Sequence, residues 1–152
     1  MIQRIQSVYL LVVTILLIVC MCTPVGAYIA EDYSVSKFTN LCIVSADGVK
    51  DYAPWAMFVI LLVAALLSFT TIFMFKKRML QIRLTIFNTI VLIGYYLVLA
   101  YFVVNPDKAF DDYSFMPSWT VCLPLVSIIL NWLAIRAIGK DEMLVKAYER
   151  LR

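Results

Sequence analysis

Charged residues interrupt this chain unevenly, and the intervals between them outline its architecture. No charge occurs between Arg4 and Glu31, between Asp51 and Lys76, between Arg83 and Asp107, or between Asp112 and Arg136, and each interval holds more than 20 residues. About 20 helical residues, rising 1.5 Å apiece, cross the ~30 Å hydrocarbon layer of a bilayer, so each interval accommodates one crossing and none accommodates two. A charge near the bilayer centre is costly and mostly avoided. The intervals therefore predict four transmembrane helices, at 7–25, 54–75, 84–104 and 117–138, in a single all-α membrane domain spanning 1–152.

Composition agrees. Of the 152 residues 64% are hydrophobic and 15% charged, against about 25% charged in a soluble domain, and the mean hydropathy is +0.92. A chain this short has no core large enough to hide so much apolar surface. The first apolar stretch could be taken for a signal peptide, since Val25-Gly26-Ala27 fits a small-residue cleavage site. Yet it is long for such a segment and only Arg4 precedes it, so it is expected to be a retained helix.

Charge also orients the four-helix bundle. Arg4, Lys76, Lys77, Arg78, Arg83, Arg136, Lys140, Lys146, Arg150 and Arg152 fall on one side, ten of the 13 basic residues, and only Lys37, Lys50 and Lys108 on the other. Short loops rich in lysine and arginine stay in the cytoplasm, which predicts both ends inside, an N-in/C-in arrangement. Tyr28, Tyr52, Trp55, Tyr113 and Trp119 then cluster at the outer headgroups, with Tyr9 and Trp132 near the inner ones. Pro54 and Pro117 suit first helical turns; Pro124, inside the fourth span, is expected to free the Thr120 carbonyl and kink that helix.

Two features lie outside the spans. Residues 26–53 carry Tyr33, Val35, Phe38, Leu41, Ile43 and Val49 around Asp47-Gly48, a turn signal that predicts a short outer hairpin. Past Gly139, which suits a helix C-cap, Asp141 can start an amphipathic helix over 141–152, with Met143, Leu144, Ala147, Tyr148 and Leu151 on one face, expected to lie flat at the inner headgroups.

The opening Met1-Ile2-Gln3-Arg4-Ile5-Gln6-Ser7, the run Lys77-Arg78-Met79-Leu80-Gln81-Ile82-Arg83-Leu84 leading to Asn88, Leu123-Pro124-Leu125 with Ile128-Ile129-Leu130-Asn131 and Ala134, and the ending Asp141-Glu142, Leu144-Val145-Lys146 and Arg150-Leu151-Arg152 together resemble a family of small four-helix inner-membrane proteins of Bacteroidota, known only as a domain of unknown function. The resemblance covers nearly the whole chain. It implies a bacterial inner-membrane location and supplies no activity.

Candidate chemistry is sparse. Histidine is absent, which removes bis-histidine haem, most zinc and copper sites and histidine acid–base catalysis. No carboxylate lies within a predicted span and no glycine motif cradles phosphate, so no catalytic, metal or cofactor residue is proposed from the sequence. The four cysteines, Cys20, Cys22, Cys42 and Cys122, all map to the outer half. They read first as buried apolar thiols and second as a structural bridge from Cys42 to Cys22 or Cys122. A third reading is a quinone-linked thiol-disulfide oxidoreductase, but such enzymes use a C-x-x-C pair, and Cys20 and Cys22, two apart, point about 200° apart around a helix.

Asn88 and Asn131 each stand five residues inside a basic residue, Arg83 and Arg136, so they share a depth. With Ser68 and Thr71 they are expected to hydrogen-bond across the bundle as a polar layer. Arg4, Lys76, Lys77, Arg78, Arg83, Lys146, Arg150 and Arg152 form a basic inner face for anionic lipid or a protein partner. Gln3, Gln6 and Gln81 beside these charges add amides suited to a specific contact. The role these features favour is a non-catalytic accessory subunit that meets membrane lipids and other inner-membrane proteins, and no nucleic acid. A small-solute or lipid carrier is the remaining alternative, and it requires a polar cavity between the helices.

Overall fold

In the computed structural model, residues 3–30, 33–74, 77–105 and 113–150 are described. Four helices dominate: α1 (Gln3–Cys22), α2 (Trp55–Phe73), α3 (Arg78–Val104) and α4 (Cys122–Arg150). Among the described residues four segments are long and apolar enough to cross a membrane, Ile5–Cys22, Trp55–Phe73, Arg78–Val104 and Trp119–Tyr148. Each helix packs on its neighbours in sequence, and α1 closes the square against α4.

The packing follows one rule along every helix. Beside Thr14 and Ala65, which are also buried, the inward positions are Gln6, Leu10, Val13, Leu17 and Cys20 on α1; Met57, Leu61, Ala64, Ser68 and Thr71 on α2; Gln81, Thr85, Asn88, Leu92, Tyr95 and Leu99 on α3; and Pro124, Ser127, Asn131, Ala134, Ile138 and Asp141 on α4. Their spacing alternates between four and three residues, the seam of a left-handed bundle. Small and polar side chains share this seam with large apolar ones such as Leu10, Leu17, Leu61, Leu92 and Ile138, while Ile15, Leu66, Phe69, Ile90, Leu97, Leu125 and Ile129 are at least half exposed on the outside. In lipid that arrangement is favoured, because tails solvate large apolar groups as well as a core does and small residues let helices approach.

An all-α expectation does not survive. Five strands, β1 (Pro24–Ala30), β2 (Val35–Thr39), β3 (Ile43–Val44), β4 (Lys50–Asp51) and β5 (Tyr113–Pro117), form one antiparallel sheet in the order β4-β3-β2-β1-β5. The predicted hairpin is only its β3–β4 corner, where Gly48 takes φ +79° and donates to the Ser45 carbonyl at 2.9 Å. The sheet caps one end of the bundle, hereafter the sheet end; the start of α1 at Gln3 and the end of α4 at Arg150 lie at the other, the terminal end.

Prolines explain several shifted boundaries. Pro24 has no N–H and drives Thr23 out of helical geometry, so α1 stops at Cys22 and the chain enters β1. Pro117 closes strand β5 rather than opening a helix, and a 3-10 turn (Trp119–Val121) leads into α4. Pro124 thus falls in the first turn of α4, where its missing N–H breaks no helical bond and no kink is required. At the other end of α4 no break occurs at Gly139: the helix runs through it to Arg150, about 43 Å at 1.5 Å per residue. The expected flat amphipathic helix is instead the overhang of α4. Likewise α3 begins at Arg78, six residues before the predicted 84, so part of the basic run is helical.

Candidate functional site

Buried polar groups mark three places in the molecule. The first is the junction between sheet and bundle. The β2–β3 turn is pinned by Thr39, whose hydroxyl donates to the Cys42 carbonyl at 2.6 Å and accepts the Cys42 N–H at 3.1 Å. This turn drives Asn40 into the helix ends with no exposed surface. There the Asn40 amide donates to the Cys20 carbonyl at 2.7 Å, and its oxygen accepts the Tyr95 hydroxyl at 2.8 Å. One side chain therefore ties the sheet to α1 and α3 together. Around it, the Thr120 hydroxyl donates to the Pro24 carbonyl (2.6 Å), Tyr28 to Phe102 (3.1 Å) and Tyr96 to Val121 (2.6 Å). Rings of Tyr28, Phe38, Phe102 and Phe115 fill the remaining space at centroid distances of 5.2–6.3 Å. Tyr28, expected at the headgroups, is thus part of the sheet's core.

The second place is the polar layer. All four predicted members, Ser68, Thr71, Asn88 and Asn131, are buried to 1% exposure or less. Their bonding differs from expectation. Ser68 donates across the bundle to the Leu10 carbonyl at 3.0 Å, but Thr71 turns back to Leu67 on its own helix at 2.6 Å, as threonine readily does. The Asn88 and Asn131 amides meet neither these hydroxyls nor each other, nor any other hydrogen-bond partner among the described residues. A buried polar group without a partner costs about 1–3 kcal/mol.

The third place closes the terminal end. Gln6 is buried on α1 and donates to the Ala137 carbonyl at 3.1 Å and to the Asp141 carboxylate at 3.2 Å. Arg78, at the start of α3, donates to the Asp141 carbonyl oxygen at 3.3 Å. Three helices meet on one residue of α4.

A family model described as a domain of unknown function (DUF4293) matches residues 2–151. The chain belongs to this family. No curated protein matches the chain. The architecture above is therefore the DUF4293 architecture of this chain, covering the match almost end to end.

Within this DUF4293 chain the structure holds Cys20, Cys22, Cys42 and Cys122 unbonded to one another and joins Cys42 neither to Cys22 nor to Cys122. Cys20 is buried at the junction while Cys22 is exposed, as their angular separation on α1 requires. Cys22 lines an apolar groove between α1 and α2 with Phe58, Leu62 and Phe69. Cys42 stays with its turn, its sulfur 3.6 Å from the Thr39 hydroxyl, and Cys122 is exposed at the start of α4. A second groove of about 550 Å³ separates α3 from α4, lined by Ile86, Thr89, Ile90, Ile128, Ile129, Trp132 and Ile135. The Arg136 guanidinium lies 4.8 Å over the Trp132 ring at its edge.

The predicted basic face is split by the structure. Lys77 and Arg83 are exposed, Arg78 is engaged at Asp141, and Lys146 pairs with Glu142 at 3.1 Å. Lys76, Arg152 and the side chains of Arg4 and Arg150 lie outside the described residues, as does that of Gln3. Gln6 and Gln81, read as surface amides, are internal at 4% and 2% exposure. Asn40 and Tyr95 escaped the sequence reading, and Asp141 was read as the start of a separate helix rather than as an internal contact. For Asp141 a signal existed: the four-three spacing of Asn131, Ala134 and Ile138 continues to it without a break.

Proposed function

We propose that this protein is a non-catalytic accessory subunit of a membrane protein assembly in a bacterial cytoplasmic membrane. It docks to its partner through the overhang of α4, with both termini in the cytoplasm and the sheet outside. The observation that carries this reading is the uninterrupted extension of α4 beyond Asp141. α3 begins at Arg78 and α1 begins at Gln3, three residues beyond Gln6, yet α4 continues past Asp141 over 142–150, about 13 Å further. Met143, Leu144, Val145 and Tyr148 on this extension are 75%, 53%, 41% and 79% exposed.

Met143, Leu144 and Tyr148, with Ala147, form one face, continuous with the lipid-facing stripe of Ile129, Trp132, Leu133 and Arg136. A partner helix running beside α4 in the bilayer can therefore stay in contact past the headgroups, and the polar edge carrying Lys146 and Glu142 supplies register. The excess of lysine and arginine at the terminal end supports the orientation. Acyl chains are expected to fill the α1–α2 and α3–α4 grooves where the partner does not.

Removing residues 143–152 tests the reading while leaving the Gln6–Asp141–Arg78 closure intact. The truncated protein is expected to insert and accumulate at the wild-type level. It should lose the membrane proteins that accompany the full chain through mild-detergent purification, as read by quantitative mass spectrometry. An unchanged partner list at equal abundance contradicts the proposal.

A further inference from the structure

Asn88 and Asn131 occupy the inward seams of α3 and α4, which pack against each other. Each carboxamide carries two N–H donors and an oxygen able to accept twice, and in both residues the nitrogen and the oxygen are buried without a protein partner. The hydroxyls on adjoining turns of the seams cannot supply the missing donors. Thr14 donates to the Leu10 carbonyl (2.9 Å), Ser68 also to Leu10 (3.0 Å), Thr85 to Gln81 (2.8 Å) and Ser127 to Leu123 (3.0 Å). Their protons are committed, and only their lone pairs remain.

The two amide oxygens thus need a donor and the two amide nitrogens need an acceptor. A cation would serve the oxygens alone, and an anion the nitrogens alone. A water molecule is both donor and acceptor, and it is held stably where a buried site offers it two to four polar partners.

We infer that Asn88 and Asn131 hold ordered water between α3 and α4, making the terminal half of the bundle a hydrated compartment within the membrane-spanning region. The composition of the seams points to the terminal end as the side from which it is wetted. Toward that end they carry Thr85, Gln81, Ser68, Thr71 and Gln6 beside Leu10, Ala134 and Ile138, whereas toward the sheet end Leu92, Leu99, Leu17, Leu61 and Met57 close the interior. The Gln6–Asp141–Arg78 contact stands at the mouth.

The sequence itself furnishes the experiment, because its only asparagines are Asn40, Asn88, Asn105 and Asn131. Full-length protein labelled with ¹⁵N-asparagine is reconstituted in lipid bilayers. Magnetisation transfer from water to each assigned side-chain amide is then followed by solid-state NMR. Asn105 is exposed and serves as the wet reference; Asn40, buried with both ends bonded to protein, is the dry one. Asn88 and Asn131 are expected to build up at the Asn105 rate, several-fold faster than Asn40. Build-up at the Asn40 rate overturns the inference, and a direct Asn88–Asn131 contact at that slow rate would show that the two amides pair with each other instead.

Discussion

Asn40→Ala is expected to destabilise the folded protein by about 1–3 kcal/mol, because it leaves the buried Tyr95 hydroxyl, 2.8 Å from Asn40, without its acceptor. It also removes the 2.7 Å bond to the Cys20 carbonyl oxygen, which keeps only the longer contact from the Thr23 hydroxyl at 3.4 Å. Neither can turn to solvent, since Tyr95 is fully buried and Cys20 is 1% exposed. Loss of this one side chain also detaches the β2–β3 turn from both helices at once. The amides of β1 and β2 should accordingly lose hydrogen-exchange protection before those of α1 and α3. The double variant with Tyr95→Phe isolates the bond: once Asn40 is gone, deleting the Tyr95 hydroxyl should cost about 1 kcal/mol less than it does in the intact protein. Additive effects of the two substitutions, measured by reversible unfolding in bicelles, would show that the side chains do not act as a pair.

Gly26→Ala is expected to expel strand β5. A Cβ at position 26 would stand 2.6 Å from the Met116 carbonyl oxygen and 2.8 Å from two carbons of the Phe115 ring. The first obstacle is main chain held in register by the pairing of Gly26 with Pro117 and Ala27 with Met116, so it cannot step aside without breaking the ladder. The second is a ring packed 5.2 Å from Tyr28 and 6.0 Å from Phe38, between the sheet and the helix ends. Overpacking of this kind typically costs about 1–3 kcal/mol. The specific signature is fast exchange at Ser114, Phe115 and Met116 with β2 and β3 still protected. Uniform protection across the sheet would mean that β5 tolerates the methyl group, and that the close approach is not what requires glycine there.

These two positions show where a reading by charge and hydropathy stops. Gaps between charges located the four spans because lipid excludes ions whatever the backbone does. For the same reason the gaps could not divide an apolar helix from an apolar strand. Val25 on β1 carries no charge and falls within the predicted first span, and Pro117 on β5 falls at the predicted opening of the fourth, while Tyr28 and Ile29 fall in a stretch read as an outer loop. Pro24 was the available mark of the boundary, since the residue before a proline resists helix. The burial of Ser68, Thr71, Asn88 and Asn131 agrees with the expectation that they face inward. Their bonding was not legible, for serine and threonine satisfy themselves on their own helix when they can. Gln6 and Gln81 were misplaced on the surface by composition alone; the four-three spacing that runs through Leu10 and Val13, and through Thr85 and Asn88, assigns both to the interior. Gly139 misled in the same way, as glycine ends helices often but does not oblige them to end.

The account rests on a bundle that crosses the membrane with its sheet on one side and its termini on the other, and site-specific labelling tests that most directly. In protein whose own cysteines have been replaced by serine, single substitutions Lys37→Cys on β2, Lys77→Cys between α2 and α3, and Lys140→Cys on α4 all place a thiol at an exposed position. With an impermeant maleimide added to intact spheroplasts, Lys37→Cys is predicted to react at once, and Lys77→Cys and Lys140→Cys only after the membrane is permeabilised. Reaction of all three from the same side, or of Lys77→Cys and Lys140→Cys alone, would contradict the account.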